Sequence, residues 1–375
     1  MKKFLCFAAA ALTLSAACQK TTVVYDNDEP QEIAVFAVNK AATKAPVEGA
    51  TFPESYKMQV AAYLAAGDGV TEGGRNYFDG VTFSKPEGNA TSWVGGQYWP
   101  VSAATLDFLA VAPQVESADD ATPAITTTFN AENHVSVSTT TVKNNETAQY
   151  DVMYAVGRQT KDAGTAPENV GLTFAHAYSW LDFTFRTENT GTGAPEIKIN
   201  SITVNGVACN GTMTVTVTSN NQSSTSDWAE GTLVATPTWN QNTYTSTNLT
   251  VPVADDYNFV LSADSDDTAE GNQPAEYGKG LLLIPESPMT SFVIDYTITI
   301  GQNAQNFTYT YTPGSALTWD AGKKYTYEIT MTLSEIEVDP IVTEWDDFDS
   351  DESTEDVKDP ISVDTNEAQT SGGTE

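Results

Sequence analysis

The amino-acid sequence predicts an all-β protein built of sandwiches, and three observations carry that prediction. Apolar and polar residues alternate with a period of two in the patterned segments, as in "SFVIDYTITI" at residues 291–300. Threonine fills many of the polar positions, and a β-branched residue favours a strand over a helix. No window carries the 3.6-residue apolar period of an amphipathic helix over three turns. Such alternation is typical of antiparallel strands that bury one face.

Four segments give the clearest strands, because each places its large apolar residues on a single face. They are "TMTVTVT" at 212–218, "SFVIDYTITI" at 291–300, "NFTYTYT" at 306–312 and "YTYEITMTL" at 325–333. Threonines on the opposite face predict that this face meets solvent. The residues predicted to face the core are Met213, Val215, Val217, Phe292, Ile294, Tyr296, Ile298, Ile300, Phe307, Tyr309, Tyr311, Tyr325, Tyr327, Ile329, Met331 and Leu333.

Chain length and a turn-rich gap predict two domains. The chain has 375 residues, of which 40% are hydrophobic, and this suffices for about two cores of ordinary size. The stretch "RTENTGTGAPEIKIN" at residues 186–200 is rich in Gly, Thr and Asn and lies between patterned segments. We place the boundary there, between an N-terminal domain at 45–190 and a C-terminal domain at 191–345.

The N-terminus, residues 1–17, has the features of an export signal. Two lysines precede an apolar stretch, residues 4–14, that is too short to span a bilayer. Small residues then lead to Ala17 and Cys18, an arrangement that resembles the bacterial lipobox, although Ser15 stands where that motif usually has leucine. We therefore predict cleavage between Ala17 and Cys18 and lipidation of Cys18. Ordinary signal cleavage beside Ala17 is the alternative.

The strong acidity of the chain limits its partners. The formal net charge is -33, from 17 basic and 50 acidic residues. Such a chain repels phosphate backbones and anionic membrane surfaces, so we exclude nucleic acid as a partner. Attachment to a membrane then requires a covalent or hydrophobic anchor. The segment at residues 346–375 is strongly acidic and poor in apolar residues, which predicts a solvated tail or a segment that folds only with a partner.

Few residues of the chain suit catalysis or metal binding. Cys209 is the only cysteine of the sequence beyond the first twenty residues, so no internal disulfide framework is available. The sequence has two histidines, His134 and His176. The surroundings of His176, "LTFAHAYSWLDF", predict a hydrogen-bonded structural histidine rather than a catalytic base. The Asp-rich stretches 263–272 and 346–356 lack EF-hand spacing, so we predict solvated acidic surface there, with calcium as the alternative. We expect no metal, no cofactor and no enzymatic activity.

Residues 32–38, "EIAVFAV", form an apolar strand of a different kind. Apolar side chains occur on both parities, and such a strand is normally buried on both faces. Two scarce lysines follow in the small-residue run "NKAATKAP", a composition that suits an exposed, protease-sensitive loop. Ordinary loop lysines are the alternative. The large residues of the strand are Ile33, Val35, Phe36 and Val38.

Six short motifs follow one another along the chain. "TKAPVEGATFP" is followed by "NYFDGVTFS", by "WVGGQYWP" with its Tyr-Trp-Pro turn, and by the Phe-x-His strand "LTFAHAYSWLDF". "WDAGKKYTYEITM" and "VTEW" come last and form a closing hairpin. Together these motifs resemble the fimbrillin family of Gram-negative bacteria, the subunits of type V pili. They lie at residues 43–53, 76–84, 93–100, 172–183, 319–331 and 342–345.

The resemblance implies two tandem transthyretin-like β-sandwich domains and a lipoprotein precursor carried to the outer membrane. It also implies that a trypsin-like protease cuts after a basic residue and releases the strand at 32–38. Lys44, followed by Ala45, matches the cleavage position. Lys40, followed by Ala41, is the backup. Other fimbrial subunits then donate a strand into the vacated groove, and the fimbria on the cell surface contacts a host or bacterial ligand.

The function that the resemblance implies is a structural or adhesive fimbrial subunit, and two other classes stay open. A surface glycan-binding lipoprotein would use aromatic side chains as stacking platforms, and the chain has seven tryptophans and sixteen tyrosines. Aromatic residues in strands, however, are more often part of a core. A hydrolase would need two carboxyl groups held across a cleft, and the sequence nominates no such pair.

Overall fold

The computed structural model describes most of the chain between residues 30 and 344. In the described part, no helix combines the length and hydropathy needed to cross a bilayer. The described ranges are 30–38, 52–65, 75–88, 91–115, 124–132, 135–144, 149–162, 167, 169–187, 194–219, 232–244, 246–253, 258–261, 275–314, 319–333 and 335–344.

Strands make up nearly all of the secondary structure in these ranges, as the alternating sequence predicts, and a short 3₁₀ helix spans Gln241–Thr243. The strands are β1 (Glu32–Val38), β2 (Met58–Leu64), β3 (Arg75–Phe83), β4 (Trp93–Tyr98), β5 (Ala104–Ala112), β6 (Ala124–Glu132), β7 (Val135–Lys143), β8 (Met153–Lys161), β9 (Val170–Thr173), β10 (Ala175–His176), β11 (Ser179–Thr187), β12 (Glu196–Ala208), β13 (Asn210–Ser219), β14 (Leu233–Trp239), β15 (Ser246–Thr250), β16 (Phe259–Leu261), β17 (Ala275–Glu276), β18 (Leu281–Leu283), β19 (Ser291–Ile300), β20 (Asn303–Tyr311), β21 (Lys323–Met331) and β22 (Ile336–Glu344).

The strands pair into five sheets. Sheet I has the order β4-β1-β9, sheet II the order β10-β8-β5-β2-β3, and sheet III the order β14-β13-β7-β6. Sheet IV has the order β17-β11-β21-β22, with β18 also paired to β11, and sheet V has the order β15-β12-β19-β20, with β16 also paired to β12. Two pairings are parallel, that of β1 with β9 and that of β11 with β21.

Sheet II lies between two hydrophobic cores, because its strands bury side chains on both faces. On one face, Val60 and Phe108 pack in the core shared with sheet I. On the other face, Tyr63, Leu109 and Val111 pack in the core shared with sheet III. This position explains why β2 and β5 carry near-continuous apolar runs instead of alternating ones.

Sheets IV and V enclose a further core that is rich in aromatic rings. Phe183 of β11 is edge-to-face with Phe292 of β19, at a centroid distance of 5.2 Å. The same ring stacks on Tyr327 of β21 at 5.7 Å. Aromatic contacts of these geometries add stability beyond the area that they bury. The core therefore joins the first strand of this sandwich to strands from its C-terminal end.

The four strand predictions are confirmed as β13, β19, β20 and β21, with differences at their ends. Met213 and Phe292 are buried as expected, whereas three residues predicted to face the core are exposed. Ile300 is 53% exposed at the tip of the β19–β20 hairpin, and Phe307 is 38% exposed on the edge strand of sheet V. Leu333 is 54% exposed because β21 ends at Met331. Alternation predicts a face, but only the opposing sheet decides how far that face is covered.

The boundary expected between residues 190 and 191 lies between β11 and β12, which line the same core. The predicted division assigns β11 to the N-terminal domain, yet β11 pairs with β18 and β21. Sheet III likewise combines β6 and β7, which precede residue 190, with β13 and β14, which follow it. Strand pairing therefore continues across residue 190, because the chain leaves sheet II after β10 and enters sheet IV with β11. The division into two domains stays a prediction.

Candidate functional site

The first strand, β1, is the middle strand of sheet I and connects its two outer strands. It runs parallel to β9, with Val35 opposite Val170, and antiparallel to β4, with Val35 opposite Trp93. In the described part of the chain, β4 and β9 do not pair with each other. Removal of β1 would therefore leave a slot one strand wide, with unpaired backbone groups on both walls.

The side chains of β1 are buried on one face only, which corrects the expectation of burial on both faces. Ile33 and Val35 are fully buried in the core between sheets I and II, and Ala37 is nearly so. Phe36 is 45% exposed, because sheet I is an outer layer and Phe36 lies opposite Gly171 of β9. The side chain of Val38 lies outside the described residues.

Backbone hydrogen bonds hold the start of β1 on β4. The amide of Trp99 donates to the carbonyl oxygen of Gln31 at 2.9 Å. The amide of Gly96 donates to Glu32 Oε1, also at 2.9 Å. The register shifts between Glu32 and Ala34, and from Val35 onward the strand also pairs with β9. The first half of β1 therefore pairs with β4, and its second half pairs with β9.

The walls of the slot have packing of their own that does not involve β1. On the β4 side, Trp93 Nε1 donates to the carbonyl oxygen of Tyr56 at 3.0 Å, and its ring is edge-to-face with Phe52. On the β9 side, Leu172 packs directly on Gly157 of β8, where an added Cβ would lie 2.7 Å from Leu172 Cδ2. Both walls are therefore held in place by contacts that survive the loss of β1.

The other predicted processing and anchoring residues fall outside the described residues. These predictions are the signal cleavage and lipidation at Ala17 and Cys18, the processing pairs Lys44–Ala45 and Lys40–Ala41, and the acidic tail at 346–375. The Asp-rich stretches 263–272 and 346–356 also lie outside. All of them stay predictions.

The prediction for His176 is confirmed, since it is a buried, hydrogen-bonded residue. Its Nδ1 lies 2.7 Å from Asp151 Oδ2, and both side chains are almost fully enclosed. His134 lies outside the described residues. Within the described ranges, no group of three or more His, Cys, Asp or Glu side chains is arranged to hold a metal ion. The thiol of Cys209 is buried and donates to the carbonyl oxygen of Asn144 at 3.7 Å.

Aromatic side chains in the described ranges serve mainly as core. All five tryptophans described there are buried, and none forms part of an exposed stacking surface. Their Nε1 groups include donors to backbone oxygens, such as Trp239 Nε1 to Ala177 O at 3.0 Å. These tryptophans therefore offer no exposed stacking platform. The five residues are Trp93, Trp99, Trp180, Trp239 and Trp319.

The sequence reasoning missed a buried charged cluster in sheet IV. Lys324 of β21 lies 3.1 Å from Asp182 of β11 and 3.8 Å from Glu276 of β17. The alternation of β21 places Lys324 on the face opposite Tyr325 and Tyr327, which the pattern marks as a polar face. Its partners lie far away in sequence, so no local signal could have indicated the cluster.

Comparison with known proteins gives one family and one fold. A model of a fimbrillin-like family matches residues 43–345. The structure resembles that of a fimbrial protein from Bacteroides vulgatus with a TM-score of 0.50, at 16% identity over 83% of this chain and 99% of that one. A candidate cell adhesion protein from Bacteroides uniformis gives a TM-score of 0.42, at 17% identity over 84% and 99% of the two chains. None of the curated proteins matches the sequence.

Proposed function

Because the chain belongs to the fimbrillin-like family, a structural family rather than a family of enzymes, we propose that it is a subunit of a bacterial surface fimbria. In this proposal, proteolysis removes β1 and a strand of another subunit takes its place. The observation that carries the proposal is the position of β1 at the centre of sheet I, close to the N-terminus.

Loss of β1 would leave apolar surface and backbone groups exposed, which favours binding of a replacement strand. Ile33 and Val35 are both 0% exposed, and burying one such side chain contributes about 1.5–3 kcal/mol. The backbone groups of β4 and β9 lose their partners at the same time, which adds to the cost of an empty slot. An incoming extended segment satisfies both requirements by strand addition. Head-to-tail contacts of this kind extend into filaments where the rotation from one subunit to the next does not close into a ring.

The proposed processing follows from where β1 stands in the chain. The residues after β1 include Lys40 and Lys44, so a trypsin-like cut after either residue separates β1 from every later strand. Lys44 is the proposed site and Lys40 the backup. The released piece would run from Cys18 to the cut and would carry any lipid anchor with it. Lipidation at Cys18 would therefore hold only the precursor at the outer membrane.

A donor strand, if this subunit supplies one, would come from its C-terminal region. The strand β22 pairs with β21 along its whole length, with Lys323 opposite Glu344 at one end and Met331 opposite Ile336 at the other. It therefore already completes sheet IV of its own subunit. The tail, residues 346–375, offers Ile361 and Val363 as alternating apolar residues. A subunit with so weak a donor would suit the tip of a fimbria, where it accepts a strand and donates none.

Proteolytic assembly tests the proposal directly. The purified precursor is treated with a trypsin-like protease, and the products are analysed by N-terminal sequencing and electron microscopy. We expect a new N-terminus at Ala45 and either filaments or incorporation into filaments of another subunit. Lys44→Ala should leave a folded, full-length monomer, with Lys40→Ala added to block the backup site. Processed protein that neither assembles nor incorporates would contradict the proposal.

A peptide with the sequence of β1 provides a matched competitor. The peptide of residues 31–38 should bind processed protein and block assembly, because it restores Ile33, Val35 and Ala37 to the slot. The same peptide with Asp in place of Val35 should not bind, since a carboxylate would be buried without a partner. Binding of both peptides with equal affinity would show that the slot is not the acceptor.

Two further variants separate anchoring from donation. Cys18→Ala should move the precursor from the membrane pellet to the soluble fraction, because acyl chains contribute about 0.8 kcal/mol per buried methylene. A variant that stays membrane-bound and is still labelled by palmitate would contradict lipidation at Cys18. Deletion of residues 346–375 should abolish self-assembly if the tail is the donor, and should leave strand acceptance intact.

A further inference from the structure

A buried lysine in sheet IV has no role in strand exchange. Lys324 is 6% exposed on β21, and its Nζ lies 3.7 Å from the centre of the Trp180 ring on the neighbouring strand β11. Trp180 and Lys324 stand directly opposite each other in the parallel ladder of β11 and β21. The indole ring attracts the ammonium group, covers it from solvent and fixes its position.

Asp182 faces this lysine from two residues further along β11. Its side chain is 3% exposed, and its Oδ2 lies 3.1 Å from Lys324 Nζ. The other carboxylate oxygen, Oδ1, accepts a hydrogen bond from the backbone amide of Phe183 at 2.8 Å. The two carboxylate oxygens therefore have different partners. Oδ1 is hydrogen-bonded to the backbone, and Oδ2 faces the lysine amine.

Glu276 completes the cluster from the strand on the far side of β11. Glu276 of β17 pairs with Thr184 of β11, and its Oε1 lies 3.8 Å from Lys324 Nζ. Its side chain is 62% exposed, so it can exchange protons with water. A carboxylate in this position can accept a proton from the amine and pass it to the Asp182 carboxyl group.

We propose that Lys324 Nζ and Asp182 Cγ become joined by an amide bond that cross-links β21 to β11. The bond between Nζ and Cγ forms and the bond between Cγ and Oδ2 breaks. Two of the three ammonium protons leave with Oδ2 as one water molecule, the first of them by way of Glu276. Oδ1 becomes the amide oxygen and keeps its hydrogen bond from Phe183. The condensation needs no oxidant, reductant or cofactor.

The environment favours this condensation in two ways. Burial raises the pKa of Asp182, although Lys324 acts in the opposite direction, and a raised pKa makes transfer of a proton to this carboxyl group easier. The reaction also replaces two buried charges by a neutral amide, which removes the desolvation penalty of the ion pair. The fixed register of the parallel strands holds both groups in place, and such positioning greatly accelerates a reaction between them.

The cross-link would join the two ends of one sandwich. Asp182 lies on the strand through which the chain enters sheet IV, and Lys324 lies on one of its last strands. Pulling on the chain outside residues 182–324 would then load a covalent bond instead of the hydrogen bonds between β11 and β21. This inference does not rest on the proposed replacement of β1, and a failure of either one leaves the other standing.

Mass spectrometry of the denatured full chain tests the cross-link. Attack of the lysine amine on the carboxyl group should lower the mass by about 18 Da, one water molecule. After digestion, one branched fragment should contain both Lys324 and Asp182. Lys324→Met should show the full mass, because it removes the nucleophile while keeping a side chain of similar length. Asp182→Asn should instead lose about 17 Da, as ammonia leaves from the amide.

Glu276→Gln provides the control for the proton transfer. This side chain is largely exposed, so the variant should fold as the parent chain does, yet form the cross-link much more slowly. A folded Glu276→Gln variant that reaches full cross-linking as fast as the parent would overturn the role of Glu276. A parent chain of unreduced mass, without a branched fragment, would overturn the cross-link and leave Lys324 and Asp182 as an ion pair.

Discussion

His176 Nδ1 lies 2.7 Å from Asp151 Oδ2, and this buried pair stands where the chain passes from sheet II to sheet IV. His176 ends β10 and pairs with Met153 of β8. Immediately afterwards, the amide of Ala177 donates to Val152 O at 2.8 Å. These contacts hold the crossing segment against sheet II just before β11 begins, so we expect the stability of the protein to depend on them.

Removal of Asp151 should be costly. Truncating Asp151 removes a buried hydrogen bond to His176, and we expect Asp151→Ala to lower the free energy of unfolding by about 1–3 kcal/mol. Asp151→Asn keeps an oxygen acceptor for His176 and should cost less. Urea unfolding followed by tryptophan fluorescence measures both values. Equal stability of Asp151→Ala and the parent chain would show that the pair is not structural.

Gly157 should not tolerate a side chain. A Cβ there would lie 2.7 Å from Leu172 Cδ2 and 2.9 Å from the carbonyl oxygen of Gly171. Because the backbone oxygen cannot easily move, we expect Gly157→Ala to destabilise the precursor by about 1–3 kcal/mol. Gly171→Ala is the matched control on β9, since a Cβ at that position meets no atom within 4 Å. Denaturant unfolding compares the two variants, and equal effects would contradict the close packing of β8 and β9.

The two faces of β1 should respond differently to truncation. Ile33 is fully buried, so Ile33→Ala should cost the precursor about 2–5 kcal/mol. Phe36 is half-exposed, and we expect Phe36→Ala to change the stability by only a fraction of that amount. Urea unfolding of the uncleaved precursor gives both values. A larger loss for Phe36→Ala than for Ile33→Ala would mean that the register of β1 is shifted by one residue.

Tyr244 should make the protein sensitive to alkaline pH. Burial, followed by the nearby charge of Glu286, raises the pKa of Tyr244 to about 12, and its hydroxyl donates to the carbonyl oxygen of Pro285. Unfolding lowers this pKa to about 10, so the unfolded chain loses the proton first. The contribution of Tyr244 is therefore complete below the unfolded pKa and decreases as pH rises towards the folded one.

Tyr244→Phe isolates this effect. The difference in unfolding free energy between the parent chain and the variant should be constant below pH about 9 and should shrink as pH rises past about 10. Its value at neutral pH measures the lost hydrogen bond to Pro285. Urea unfolding across this pH range gives the comparison. A difference that does not depend on pH would contradict the raised pKa.

The amino-acid sequence was sufficient to predict the all-β class, several of the strands and the family. Period-two alternation sufficed to identify β13 and β19, because a strand that buries one face must alternate, whatever covers it. The role of His176 followed from its apolar surroundings. The motif order from residue 43 to residue 345 indicated the same family that the comparison found. Each of these signals lies within a short stretch of sequence, or in the order of such stretches along the chain.

Only the tertiary structure decided which faces are covered and which distant residues meet. Phe36 looks like a core residue from its neighbours in sequence, but it is 45% exposed because no strand of the described ranges packs on it at the outer face of sheet I. β11 belongs to sheet IV because it pairs with β18 and β21, which come much later in the chain. Lys324 and Asp182 meet for the same reason. Contacts between sheets depend on how strands assemble, and alternation records only that a face is apolar, not what lies against it.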